Sequence, residues 1–218
     1  MNELFDLTHS IAGVLLSEVK YPWDALKELK EYIIKLGKSL DKRIYKEIYQ
    51  DVWVAKSASL SESAHIGSPC IIGENADIRH CAFIRESAII GNSCVVGNST
   101  EVKNSILFDN VQIPHFNYVG DAILGYKAHL GAGAIISNVK SDKSFIDVKT
   151  DEGIIQTGLK KFGALIADEC EIGCNCVICP GSVIERGCTV YPLSMVRGYI
   201  KENHIYKNKE NIICKTRP

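Results

Sequence analysis

Among the polar side chains between positions 79 and 138 are Arg79, Arg85, Lys103, His115, Tyr118, His129 and Asn138, a set able to bind or move charge. An imidazole titrates near neutrality and can take a proton from an attacking nucleophile. A guanidinium beside an ammonium suits a phosphate monoester, the first through paired hydrogen bonds and the second as a point charge. Singly, each is a solvated charge or a hydrogen-bonded surface histidine, so the reading depends on whether the fold gathers them. Cys174, Cys176 and Cys179 have metal-like spacing, but no partner Cys-x-x-Cys pair lies elsewhere in the chain.

The element that positions these residues has a period of six. Aliphatic residues recur at Val54, Leu60, Ile66, Ile72, Ile78, Ile84, Ile90, Val96 and Val102, and again at Ile166, Ile172, Ile178, Ile184, Val190 and Val196. A small residue follows four positions after most of them, as at Ala58, Ala64, Cys70, Ala76, Ala82, Ala88, Cys94, Cys170, Cys176 and Cys188. An α-helix cannot hold such a stripe on one face, because six residues advance it by about 600°. A three-sided coil can, with one hexad per side, the aliphatic residue pointing inward and the small one fitting the corner. Stacked coils then pair their strands in parallel and bury each other's edges. Cysteine in the corner slot acts as a compact apolar filler.

Arg85 and Lys103 are three hexads apart, hence one coil apart on the same side, whereas Arg79 falls on a different side. The period slips by one residue between Val102 and Leu107 and again before Leu124, continues through Leu130 and Ile136, and stops from Ser137 to Gly163. Irregularities in solenoids gather at binding faces, which makes the loop Asn138–Lys143 a candidate site wall or else a solvated charged loop. Ahead of the coil, Leu4, Leu7, Ile11 and Leu15, then Leu26, Leu29, Ile33 and Leu36, read as helix stripes, with Pro22 at a helix start. A third short helix is expected after Gly37, capped by Ser39, with Leu40, Ile44 and Ile48 as its stripe. The expected division is a helical domain over 1–50, the coil over 51–200 with a loop inserted at 137–163, and a tail over 201–218 that covers the last edge.

A formal charge of −1 and scattered basic residues argue against nucleic acid or an anionic membrane as partner. No apolar run is long enough to span a bilayer and Met1–Leu4 lacks a basic leader, so a cytoplasmic protein with reduced thiols is expected.

Glu101-Val102-Lys103, His115-Phe116-Asn117-Tyr118-Val119-Gly120-Asp121, Gly131-Ala132-Gly133 and Asn138 resemble the acetyltransferase half of the bifunctional glucosamine-1-phosphate acetyltransferase/N-acetylglucosamine-1-phosphate uridylyltransferase family. The resemblance covers residues 54–198. The twelve-residue step from Lys103 to His115 matches that family's step from a phosphate-binding lysine to its general base. The resemblance implies a left hand for the coil, an exception to the usual crossover preference. The expected fold is thus mainly β: a left-handed parallel β-helix of hexapeptide repeats with a small helical N-terminal domain. It also implies acetyl-CoA, or another acyl-CoA, as co-substrate and acyl transfer to an amino sugar, sugar phosphate or sugar nucleotide. His115 is then the base, Arg85 and Lys103 hold a phosphate, and Tyr118 and Asn138 contact the sugar. His129 stands where the family has an asparagine, and Val139 replaces an aromatic residue; both weaken glucosamine 1-phosphate as the substrate. The backbone at Gly131 and Ala132 matches the stretch that meets the pantetheine arm, although plain corner residues would look the same. Arg186 and Arg197 are candidates for the CoA nucleotide, and Lys143 approximates a loop lysine. The family's habit implies a homotrimer with clefts between prisms.

The whole chain also resembles short bacterial proteins described as related to UDP-N-acetylglucosamine pyrophosphorylase, through Tyr21-Pro22-Trp23, Arg79-His80-Cys81-Ala82-Phe83 and Thr157-Gly158-Leu159-Lys160-Lys161-Phe162-Gly163. No glycine-rich nucleotide loop followed by Thr-Arg is present, so uridylyl transfer is not expected of this chain. Two other classes stand beside the acyltransferase. One is a binding or scaffold protein that keeps the sugar-phosphate site and works with a separate nucleotidyltransferase, a reading that His129 and Val139 favour. The other is a zinc enzyme like the carbonic anhydrases built on such a prism, but His65, His80, His115 and His129 lack the required pair five residues apart.

Overall fold

The computed structural model describes residues 4–151 and 153–215. Residues 1–3, on which part of the leader reading rests, and 216–218 of the expected tail lie outside the described residues. The architecture is the expected left-handed parallel β-helix behind a short helical segment.

Three parallel sheets form the sides of the prism. On the first side Val54, Ile72, Ile90, Leu107, Leu124, Ile166, Ile184 and Ile200 stack in one inward column. The second side stacks Leu60, Ile78, Val96 and Ile113, then Leu130, Ile172, Val190 and Tyr206. The third stacks Ile66, Ile84, Val102, Val119, Ile136, Ile178 and Val196. Each fully buried aliphatic in these columns is worth roughly 1.5–3 kcal/mol of transfer free energy. Cys70, Cys94, Cys170, Cys176 and Cys188 are fully buried in the corner slots, and burial pushes the Cys70 and Cys94 thiols up to about 12. Both slips of the period fall at the corner from the third side to the first, where Asp121 N–H donates to the Lys103 carbonyl at 2.9 Å.

Three expectations for the flanking segments are corrected. The stripe Leu4, Leu7, Ile11 and Leu15 is not one helix but a short turn, Leu7–His9, and a short helix, Gly13–Glu18. Asp6 accepts from Thr8 N–H and Ser10 Oγ from Ala12 N–H, and these local bonds compete with a continuous helix. There is no third helix after Gly37: the helix Ala25–Ser39 runs through it, and Tyr45–Tyr49 is a strand antiparallel to Val52–Ala55. A four-residue spacing satisfies a strand as well as a helix, and the open edge of the first coil decides between them. The insertion begins as a loop but continues as a packed hairpin, Ile146–Thr150 with Gly153–Leu159, whose Ile146 and Val148 are fully buried. At the far end His204–Asn208 adds a parallel strand and Asn211–Cys214 folds back on it, so the tail is itself a hairpin.

The helical segment lies against the first side. The outward residues there, Ile71, Ile89, Ile106, Ile123, Leu165 and Val183, are as buried as the inward column. Trp23 packs on Phe162 with ring centroids 5.7 Å apart, and a Cβ at Gly37 would fall 2.1 Å from the Trp53 ring. Asp168 fastens the chain start, accepting from Asp6 N–H at 2.7 Å and pairing with Arg186 at 3.0 Å. Among the described residues no helix is long and apolar enough to cross a membrane.

Candidate functional site

Four of the expected residues meet at the corner between the third and first sides. Strand register sets Lys103 beside Gly120 and places Arg85 one coil before Lys103. The Lys103 ammonium, only 15% exposed, lies 3.2 Å from the buried Asp121 carboxylate. Asn104 donates to the same carboxylate at 2.8 Å and Asn138 at 2.5 Å. Arg85 donates to Glu101 at 3.1 Å and lies 3.6 Å from Glu86. The hydrogen bond to Glu101, together with the charge of Glu86, raises the guanidinium pKa further. Tyr118 is half-buried between Glu101 and Asp121, and burial first, then those carboxylates, push its phenol above the ordinary value.

Gly120 makes this packing possible. A Cβ there would lie 2.5 Å from Tyr118 Oη and 2.9 Å from Asn138 Nδ2. The insertion returns over the same point: Phe162 N–H donates to the Asn138 carbonyl at 3.0 Å and Gly163 N–H to the Asp121 carbonyl at 2.8 Å.

His115 is exposed at the end of Gln112–His115, on the corner between the second and third sides. Tyr118 follows three residues on, at most about 10 Å of chain, so His115 and the Lys103–Asp121 cluster bound the same stretch of the third side. Beside His115 in register is Asn98, whose Nδ2 contacts His80 Nε2 and whose Oδ1 is buried with no partner among the described residues. An orphaned buried acceptor is costly unless something completes it, and His115 is its neighbour. On the next coil Gly133 N–H donates to the His115 carbonyl at 3.0 Å, which carries Gly131 and Ala132 to the same corner. Those glycines are dictated by coil stacking, since a Cβ on Gly131 would meet Cys174 N at 2.7 Å and one on Gly133 would meet Asn175 Oδ1 at 2.2 Å.

The remaining candidates are dispersed. His129 sits on the outer surface of the second side with Nδ1 2.8 Å from Glu171, and Arg79 pairs with Asp77 on that side at 2.7 Å. Arg186 is committed to Asp168 and the Leu4 carbonyl, a structural tie that removes it from the CoA candidates. Arg197 lines a groove under the insertion with Lys140 and Lys149, whereas Lys143 is not part of its lining. Asp121, Glu101, Asn104 and Gly120 are the contributors that sequence reasoning left without roles. Asp121 and Gly120 stood inside the recognised motif, and their position one coil after Lys103 and Asn104 was the available signal.

A family model described as the GMPPB C-terminal domain matches residues 68–159, the coils that carry Arg85 through Asn138. The bifunctional sugar-1-phosphate nucleotidylyltransferase/acetyltransferase of Sulfurisphaera tokodaii is 30% identical over 103 residues, 47% of this chain and 26% of its own length. The bifunctional protein GlmU of Methanococcus maripaludis strain C5 is 32% identical over 114 residues, 52% of this chain and 28% of its own. The chain resembles the acetyltransferase region of such bifunctional proteins. The match spans about a quarter of the length of these relatives. Among solved structures, a mutant of AntD, an N-acyltransferase from Bacillus cereus solved with dTDP-4-amino-4,6-dideoxyglucose and coenzyme A, aligns over 83% of this chain and 89% of its own. Its identity is 18% and its TM-score 0.37.

The charges of the cluster compensate one another. Arg85 and Lys103 face Glu86, Glu101 and Asp121, so a phosphate entering here must displace carboxylates, whereas an ammonium group is welcome beside them.

Proposed function

We propose that this chain transfers an acyl group from a CoA thioester to the amino group of a sugar carried as a phosphate or a nucleotide. The observation that carries the reading is the third side over three successive coils, bounded by His115 at one corner and by Lys103, Tyr118, Asn138 and Asp121 toward the other. His115 takes the proton from the amine as its nitrogen attacks the thioester carbonyl carbon. The C–S bond breaks, the proton passes to the departing sulfur, and the products are the amide and free CoA. In this reading Asn98, the register neighbour of His115, offers its Oδ1 to the His115 ring and so holds one tautomer. Tyr118 and Asn138 orient the sugar. In this reading the pantetheine arm of the co-substrate runs along the corner between the second and third sides, past the small residues Ala132 and Cys174, up to His115. The likeness to bifunctional proteins with acetyltransferase activity supports the same chemistry.

The reading includes a homotrimer. His129 lies on the second side, so it reaches a third-side site only from a neighbouring copy, and cyclic packing of three-sided prisms brings those two sides together.

The departures from the motif at His129 and Val139 favour a second reading, a non-catalytic sugar-phosphate or nucleotide-sugar binder beside a separate nucleotidyltransferase. Free CoA release from acetyl-CoA, measured across a panel of amino sugars, their 1-phosphates and their nucleotide forms, separates the two. Acceptor-dependent release that falls about 10²–10⁴-fold in His115→Ala is the expected result; ligand binding without any release establishes the second reading.

A further inference from the structure

The corner that holds the Lys103–Asp121 cluster continues past Asn138 into a groove of about 560 Å³, walled by the insertion and the last coils. Its charge differs from that of the cluster. Of the two acids in the lining, Asp147 pairs with Lys140 at 3.7 Å, and Asp142 caps Ser144 N–H at 2.9 Å. Lys149 and Arg197, also in the lining, have no carboxylate within 4.0 Å among the described residues. Two uncommitted cations therefore face the groove, whereas carboxylates outnumber cations by one in the cluster above it. The lining also offers exposed apolar surface, with Val139 39% and Val177 42% exposed and Pro180 beside Cys179, next to the polar Ser137 and Ser141.

Register gives the length. The residue after each inward aliphatic runs down this corner as Lys103, Gly120, Ser137, Cys179 and Arg197. From Gly120 to Arg197 is three strand spacings, about 14 Å, a span that a sugar joined to a diphosphate covers and a sugar with a single phosphate does not.

We propose that the acceptor is a nucleoside diphosphate-linked amino sugar. Lys149 and Arg197 hold its diphosphate, Val139, Val177 and Pro180 carry its base, and its sugar amine lies toward Glu101 and Asp121. The assignment of the amine as the reacting group rests on the acyl-transfer reading; the nucleotide groove stands on its own geometry. The hairpin Ile146–Leu159 then has a purpose in the fold, because it supplies Lys149 and closes one wall.

Isothermal titration of the full chain with UDP, dTDP, GDP and ADP, alongside inorganic pyrophosphate and glucosamine 1-phosphate, tests this. At least one nucleoside diphosphate binds about tenfold more tightly than pyrophosphate, and the double variant Lys149→Ala/Arg197→Ala weakens it about tenfold. The same variant leaves the affinity for glucosamine 1-phosphate and the thermal midpoint unchanged. If no nucleoside diphosphate binds, if pyrophosphate binds as well, or if the variant binds like wild type, the inference is overturned. CoA release from an amino sugar 1-phosphate alongside failed nucleotide binding would leave acyl transfer standing and remove only the groove. Nucleotide binding with no CoA release from any acceptor, nucleotide-linked amino sugars included, would do the reverse.

Discussion

Gly120 is the residue whose chemistry is most economical to probe, because its missing side chain is the space that Tyr118 Oη and Asn138 Nδ2 occupy. An added methyl in a closed core costs about 1–3 kcal/mol. Here the Tyr118 ring is only half-buried, so the strain is relieved by swinging the ring outward instead of by opening the coil. Gly120→Ala is therefore expected to leave the circular-dichroism melting midpoint within about 4 °C of wild type while weakening acceptor binding about tenfold. A large fall in the midpoint, or unaltered binding, would show that the site is not built around this gap. Lys103, His115, Tyr118 and Asn138 were legible in the sequence because their spacing repeats a known motif. Asp121, on which Lys103, Asn104 and Asn138 converge, was printed in that motif but had no visible role until the coil closed.

At the scale of elements, the helix Ala25–Ser39 shows how burial overrides local preference. Gly37 sits inside the helix, where alanine ordinarily gains about 1 kcal/mol. Its Cβ, however, would lie 2.1–2.3 Å from three atoms of the Trp53 ring, which is itself only 5% exposed and fixed in the first coil. The clash outweighs the propensity. Gly37→Ala should lower the melting midpoint by roughly 2–8 °C, given about 2–4 °C per kcal/mol for a chain of this size; Gly37→Ala with Trp53→Leu should recover part of the loss. A single variant more stable than wild type would mean that the helix does not rest on the ring. The docking of this segment had a sequence signature that periodicity analysis passed over. On every third hexad the residue before the inward aliphatic is also apolar, as at Ile71, Ile89, Ile106, Ile123, Leu165 and Val183. A side of the prism that is apolar outward as well as inward needs a cover. The strand Tyr45–Tyr49 was hidden for a different reason, since only the unpaired edge of Val52–Ala55 distinguishes it from a helix.

The whole molecule leaves large apolar side chains exposed on one of its three sides. On the third side the outward residues Phe83 and Met195, in a column that also holds Glu101 and Tyr118, are 41% and 62% exposed, and Phe116 and Leu193 stand at 61% and 80% near its corner with the second side. The first side is covered by the helical segment, so the third is the one left to meet the second side of another copy. In the proposed homotrimer, closed association of three prisms buries these side chains. Sedimentation equilibrium at micromolar protein should accordingly return three times the chain mass of 24.1 kDa. Leu193→Glu/Met195→Glu places two carboxylates in that interface, where each must be desolvated without a partner. The variant should sediment as a single chain with its far-ultraviolet spectrum intact. It should also lose CoA release, because His129 of a neighbouring copy no longer reaches the third-side site. A wild-type chain that sediments alone at these concentrations, yet still turns over, would show that one prism carries a complete site and that the exposed side chains serve some other contact.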